Sequence, residues 1–201
     1  MARPSKDHVE LLHDYGIHIP TRTLVLEGAV DDDGEETGVT YTMAMKFLKN
    51  MHLLEAGSKD PITVIMNTGG GDVGQGMAIY DRIAESECYI TIIVYGYAQS
   101  MGSIILQAAD ARVLAPSAQI MFHLGEGEPA TGNPYEILSA AQWDVAVSER
   151  VDEILYDRIK AKHDADNKVF TKNKYKDLNF KGKYMSATEA VELGLADRVE
   201  K

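Results

Sequence analysis

Residues 92–109 read IIVYGYAQSMGSIILQAA, an apolar run that breaks at small residues and resumes as an apolar helical stretch. The pattern predicts a buried strand over residues 90–95, a turn over 96–99 and a helix over 100–109. Ser100 would then project from a strand-to-helix junction, near the positive end of the helix dipole and beside unpaired backbone N–H groups. That setting suits a nucleophile with a stabilised oxyanion beside it. From this segment alone, an ordinary helix N-cap explains the serine at least as well.

Upstream, residues 61–85 (PITVIMNTGGGDVGQGMAIYDRIAE) repeat the strand–turn–helix order. Residues 62–66 read as a strand, 67–71 as a glycine turn and 74–84 as an amphipathic helix with Met77, Ile79, Tyr80 and Ile83 on its apolar side. Three consecutive glycines permit positive φ and close approach of another chain or ligand, with their N–H groups as donors. The turn has neither the Lys-Ser/Thr ending of a phosphate loop nor G-x-G-x-x-G spacing, so no nucleotide or other cofactor is expected.

A third segment, VLAPSAQIMFHLGEG (residues 113–127), reads as a strand over 119–122 that ends at His123. A histidine at one strand end near a serine at another is what a general base requires. Alone, such a histidine is more often structural. His8, His13 and His18 recur every five residues, which does not match the i,i+4 spacing of a helical metal pair, and no metal is expected.

Taken together, NTGGGDVGQGMAIYD, YAQSMGSIILQAA, APSAQIMFH and YMSATEAVELGLADRV resemble, in order, the motifs of the Clp protease proteolytic-subunit (ClpP) family, serine peptidases of the crotonase-like superfamily. The similarity runs from about Tyr15 to Val199. By that resemblance Ser100 is the nucleophile, His123 the general base, and the N–H groups of Gly71 and Met101 the oxyanion hole. Gly70, Asp72, Val73, Leu124 and Gly125 would contact substrate, whose backbone would add as a strand beside residues 71–73. The resemblance also implies an α/β spiral of repeated β-β-α units. It implies one domain over residues 1–201, with an N-terminal segment (1–20) and a protruding handle and long helix (124–162). Subunits would form a heptamer or double heptamer enclosing an inner chamber, served by an AAA+ unfoldase that delivers polypeptide substrates. Related peptidases of bacteriophage head maturation work without an unfoldase. Trp143, Val147 and Tyr156 are expected either at the ring contact or packed on their own domain.

The chain departs from the family pattern in places. Gly69 stands where the family has proline, and Leu124 and Gly125 follow His123 in place of Gln-Pro. The Ser100–His123 interval is slightly short, with the deficit expected in a turn near residues 110–112. Aligned on YMSATEA, Gly182 falls where the family's orienting acid belongs, and glycine cannot orient an imidazole. Three resolutions are open. Asp177 supplies the carboxylate from a differently shaped loop; a carbonyl or water holds the ring in a Ser-His dyad; or the chain is a weakened or silent subunit of a mixed ring. Asp177 is the expected third member. A crotonase-type acyl-CoA enzyme is the remaining alternative, since it uses a similar pair of N–H donors without needing serine or histidine.

Composition bounds these readings. The 201 residues can bury a sizeable core, and a formal net charge of −11 disfavours nonspecific binding to nucleic acid or anionic lipid. One cysteine, Cys88, forbids an intramolecular disulfide and points to a reducing, cytoplasmic setting. No apolar run reaches membrane-span length, and the first residues lack the apolar core of a signal peptide. Residues 31–36 (DDDGEE) read as a solvated acidic turn, because Ala29 occupies the first ligand position of a calcium loop. The lysine-rich residues 168–183 read as an exposed connection. Further predicted elements are strands at 23–26 and 196–199 and helices at 38–54, 135–162 and 187–193.

Overall fold

A computed structural model of the chain describes residues 6–28, 30, 32–33, 36–125 and 131–200. Asp31, Gly34 and Glu35 of the expected acidic turn, Ala29 just before it, residues 1–5 of the expected N-terminal segment and residues 126–130 of the expected handle lie outside these.

The apolar runs become the parallel centre of one sheet. Strand β1 (Ile17–His18) pairs antiparallel with β2 (Thr23–Glu27); β3 (Ile62–Thr68), β4 (Ile90–Gln99), β5 (Ala111–Leu114) and β8 (Arg198–Val199) follow in parallel. Alternate residues point to the core, so Ile62, Val64, Met66, Ile90, Ile92 and Val94 are all buried. Helices supply the crossovers that parallel strands need: α2 (Tyr41–Gly57), α3 (Val73–Ala84) and α4 (Met101–Leu106). Met43, Phe47, Met51 and Leu54 line the buried side of α2, and every residue of α4 is buried. Short helix α1 (Lys6–Tyr15) precedes β1.

Strand β4 is longer than the sequence implies. The expected turn at residues 96–99 is strand, because β4 changes neighbours there. Its first half pairs with β5, and its last residues pair with β6 (Gln119–Phe122), from Tyr97↔Gln119 to Gln99↔Met121. Gly96 makes the change with φ +78°, and the Tyr97 N–H donates to Asn67 Oδ1 at 3.1 Å where the β3–β4 register shifts. This extension carries the chain to Ser100. Strand β6 then pairs antiparallel with β7 (Lys183–Ser186), which leads into α7 (Ala187–Leu193).

Other boundaries move for local reasons. Helix α2 starts at Tyr41 rather than residue 38, because the Thr40 side chain caps the Met43 N–H and Val39 is bonded to the glycine turn. Residues 111–112 are strand, not turn. The last strand shortens because Asp197 turns its carboxylate onto Arg112. The lysine-rich segment is not merely an exposed connection. It contains α6 (Lys172–Lys181), capped by Thr171, with Tyr175 and Asn179 buried. Helix α5 (Pro134–Ala165) opens with a capping box between Asn133 and Glu136. Its first half is exposed, with Trp143 70% accessible, whereas Tyr156 packs against Phe170 and Tyr175 and Val147 faces the pocket described next. No helix among the described residues is long and apolar enough to cross a membrane.

Candidate active site

The end of β4 fixes Ser100 in an unusual conformation. Its φ of +49° and ψ of −120° suit glycine, not an L-residue. The strain is held on both sides: Ser100 N–H donates to Met121 C=O at 2.8 Å, and Ser100 C=O accepts from Ser103 N–H and Oγ–H. Ser100 sits at the N-cap position of α4 but makes no side-chain cap bond. Its Oγ instead lies 2.9 Å from His123 Nε2. His123 follows directly on β6, whose pairing with the tail of β4 sets the two strand ends side by side.

The glycine turn closes against the same point. A Cβ on Gly70 would come within 2.7 Å of Ser100 Cβ and 2.8 Å of Met101 N, so only glycine fits this approach. Val39 braces the turn from its far side: Val39 N–H donates to Gly70 C=O at 2.6 Å, and Asp72 N–H donates to Val39 C=O at 2.9 Å. That parallel bridge uses the groups flanking Gly71, which leaves the Gly71 N–H directed away from Val39. The Met101 N–H opens α4 and has no intrahelical acceptor. Thr68 Oγ1 accepts from Gly70 N–H, and Glu36 Oε2 accepts from Gly69 N–H at 2.9 Å. A proline at 69 could not donate that bond.

A pocket opens beside the pair. Val73, Met101, Ile104, Phe122, Leu124 and Leu155 give it apolar walls, and Ser100, His123, Gly125, Asp152 and Asn179 supply its polar groups. Of the expected substrate contacts, Val73, Leu124 and Gly125 line this pocket. Gly70 and Asp72 hold the turn, the Asp72 carboxylate capping α3 at Gln75 N–H.

Asp177 is not brought to His123. It lies on the open side of α6, 62% exposed, with its carboxylate 2.7 Å from Lys181 Nζ one turn onward. Gly182 does lie close to His123, and a Cβ there would stand 3.7 Å from His123 Cβ. Two pocket residues escaped the sequence reading. Asp152 Oδ1 accepts from Tyr175 O–H at 2.9 Å and Asn179 Nδ2 at 2.7 Å. Burial raises the Asp152 pKa despite the Tyr175 bond, and burial together with the Asp152 charge pushes Tyr175 well above its ordinary value. The only sequence signal for these residues was position. Asp152 falls within the apolar repeat of the long helix, and Asn179 lies one turn before Gly182.

A family model described as Clp protease matches residues 35–201. Among solved structures, a point mutant of ClpP1 from Listeria monocytogenes superposes with a TM-score of 0.73 at 23% sequence identity, covering 95% of this chain and 96% of that one. At that identity the likeness is one of fold.

Proposed function

The chain belongs to the Clp protease family, and from that premise we propose that it is a serine endopeptidase working through an acyl-enzyme. The observation that carries the reading is the 2.9 Å approach of Ser100 Oγ to His123 Nε2, with the serine hydroxyl released from helix capping. His123 takes the Ser100 proton as Oγ attacks a peptide carbonyl. The N–H groups of Gly71 and Met101 stabilise the tetrahedral oxyanion, His123 protonates the leaving amine, and water repeats the sequence to release the acyl group. The apolar walls beside Ser100 favour an apolar side chain before the scissile bond. A substrate strand would align on the free side of Gly71, since Val39 occupies the other.

The exposed apolar side chains on the first half of α5, Tyr135 and Trp143 among them, support assembly with further copies into a heptameric or doubly heptameric ring. Family membership supports unfolded polypeptide as substrate and an AAA+ unfoldase as partner. The single cysteine, buried and free, fits a reducing cytoplasmic compartment.

A second reading, a silent subunit of a mixed ring, draws on the missing side chain at Gly182 and the engagement of Asp177 by Lys181. Fluorophosphonate labelling separates the two. Covalent modification at Ser100, abolished in Ser100→Ala and strongly reduced in His123→Ala, is the expected result. An unlabelled wild-type protein would overturn the peptidase reading. Thioester turnover that survives Ser100→Ala would favour an acyl-CoA enzyme instead.

A further inference from the structure

Two unpartnered polar groups share the pocket beside Ser100. The first is on His123. To accept the serine proton at Nε2, the neutral ring must carry its own proton on Nδ1, and that N–H has no acceptor among the described residues. The second is Asn179 Oδ1, a buried oxygen with no hydrogen-bond donor among the described residues, on a residue only 4% exposed. Buried acceptors without donors are rare enough in folded proteins to need a reason.

Local structure ties together the two segments that carry these groups. Asn179 C=O accepts from Leu124 N–H at 3.0 Å, so the end of α6 is tied to the residue after His123. Gly182, in the next turn of chain, brings no side chain to His123, whose Cβ lies 3.7 Å from where a Cβ on residue 182 would stand. Phe122, on the other side of His123, stacks on Tyr175 with ring centroids 6.0 Å apart. The amide orientation is determined as well. Asp152 Oδ1 takes the Asn179 Nδ2 donor, so the free atom of the amide is the oxygen.

We infer that Asn179 is the positioning residue of this site: its Oδ1 accepts the Nδ1–H of His123, and Asp152 holds the amide in that orientation. The inference rests on the peptidase reading and explains how the site operates with glycine at position 182. A neutral amide can fill this place, as in cysteine peptidases with a Cys-His-Asn arrangement. The proton stays on Nδ1 throughout; Asn179 fixes the tautomer and ring plane, while Asp152 adds negative charge behind the amide when the imidazolium forms. The other charged or titratable groups around Asp152 are Tyr175 and Lys176 from α6 and Glu149 from α5.

The test is the rate of fluorophosphonate labelling and of peptide cleavage across pH, in the full-length protein with melting followed in parallel. Asn179→Ala is expected to lower kcat by roughly ten- to a hundredfold, with KM within about twofold, since a lost carboxylate orienter costs about four orders of magnitude and an amide contributes less. The acid limb of the labelling profile should move to lower pH, because the imidazolium loses an acceptor. The nearly isosteric Asn179→Asp should move it the opposite way. Adding Gly182→Asp to Asn179→Ala restores an acceptor beside the ring and should recover part of the rate. Full wild-type labelling in Asn179→Ala, with neither variant moving the limb, would overturn the inference and leave the peptidase reading intact. Absence of labelling in the wild-type protein would overturn both.

Discussion

Glu36 accepts the N–H of Gly69 through Oε2 at 2.9 Å, while its Oε1 is buried without a partner among the described residues. One carboxylate thus anchors the glycine turn from a segment more than thirty residues upstream, through a donor that proline does not possess. Gly69→Pro should destabilise the fold by about 1–3 kcal/mol, because it strips from a partly buried carboxylate the only donor it has among the described residues. Adding Glu36→Ala should recover much of that loss. A double-mutant cycle by denaturant unfolding measures the coupling, and strictly additive effects would show that the bond contributes nothing.

Ser100 stores strain. Its φ of +49° and ψ of −120° suit glycine, and such a residue costs on the order of 1–3 kcal/mol. Ser100→Gly and Ser100→Ala should both abolish fluorophosphonate labelling. They should differ in stability, with Ser100→Gly about 1 kcal/mol more stable than Ser100→Ala after allowing for glycine's greater freedom in the unfolded chain. Equal stabilities would mean that the elbow relaxes without loss.

Gly96 is where β4 exchanges one neighbour for another. A Cβ there would overlap Asn67 Oδ1, the acceptor for Tyr97 N–H, and φ is +78°. Gly96→Ala should destabilise by about 1–3 kcal/mol and also slow Ser100 labelling, since the strand tail aims the serine. Gly57, with open space around its Cβ, is the control position: Gly57→Ala should leave labelling unchanged.

These positions show what the amino-acid pattern could and could not reveal. The strand at 119–122 and the helix at 187–193 were legible to the residue, because the short apolar strand ends at His123 and the helix is opened by the Ser186–Glu189 capping box and closed by Gly194. The serine–histidine pair was legible as two strand ends. The tail of β4 was not: Gly96 and the small residues after it read locally as a turn, and only long-range pairing with β6 makes them strand. Asp177 looked like the missing acid because its segment read as an irregular loop. Once Thr171 caps that segment into a helix, Asp177 falls one turn from Lys181 on the open side, and Asn179 faces inward. Which side of a short polar helix is buried depends on partners elsewhere, here Asp152 and Leu124.

Arg112 ties β5 to the chain just before β8, and its charge is nearly buried. The guanidinium reaches Asp197 Oδ1 at 2.5 Å and Oδ2 at 3.2 Å, Gln107 Oε1 at 2.6 Å and Gly194 C=O at 3.0 Å. The Arg112 side chain is 9% exposed and that of Asp197 39%. Burial works to raise the Asp197 pKa, but the bonds from Arg112 outweigh it and hold the carboxyl below its ordinary value. A carboxyl depressed in the native state stabilises the fold above its unfolded pKa, and that contribution disappears as pH falls through the native value. Wild-type stability should therefore drop on acidification between roughly pH 5 and 3. Asp197→Asn should be less stable at neutral pH by about 2 kcal/mol, below the 3–5 kcal/mol of a fully buried pair because Asp197 is partly screened by water. Its stability should also fall less steeply over the acid range. Denaturant unfolding of both proteins at neutral and acid pH checks this, and parallel pH profiles would show that the Arg112–Asp197 pair does not titrate with folding.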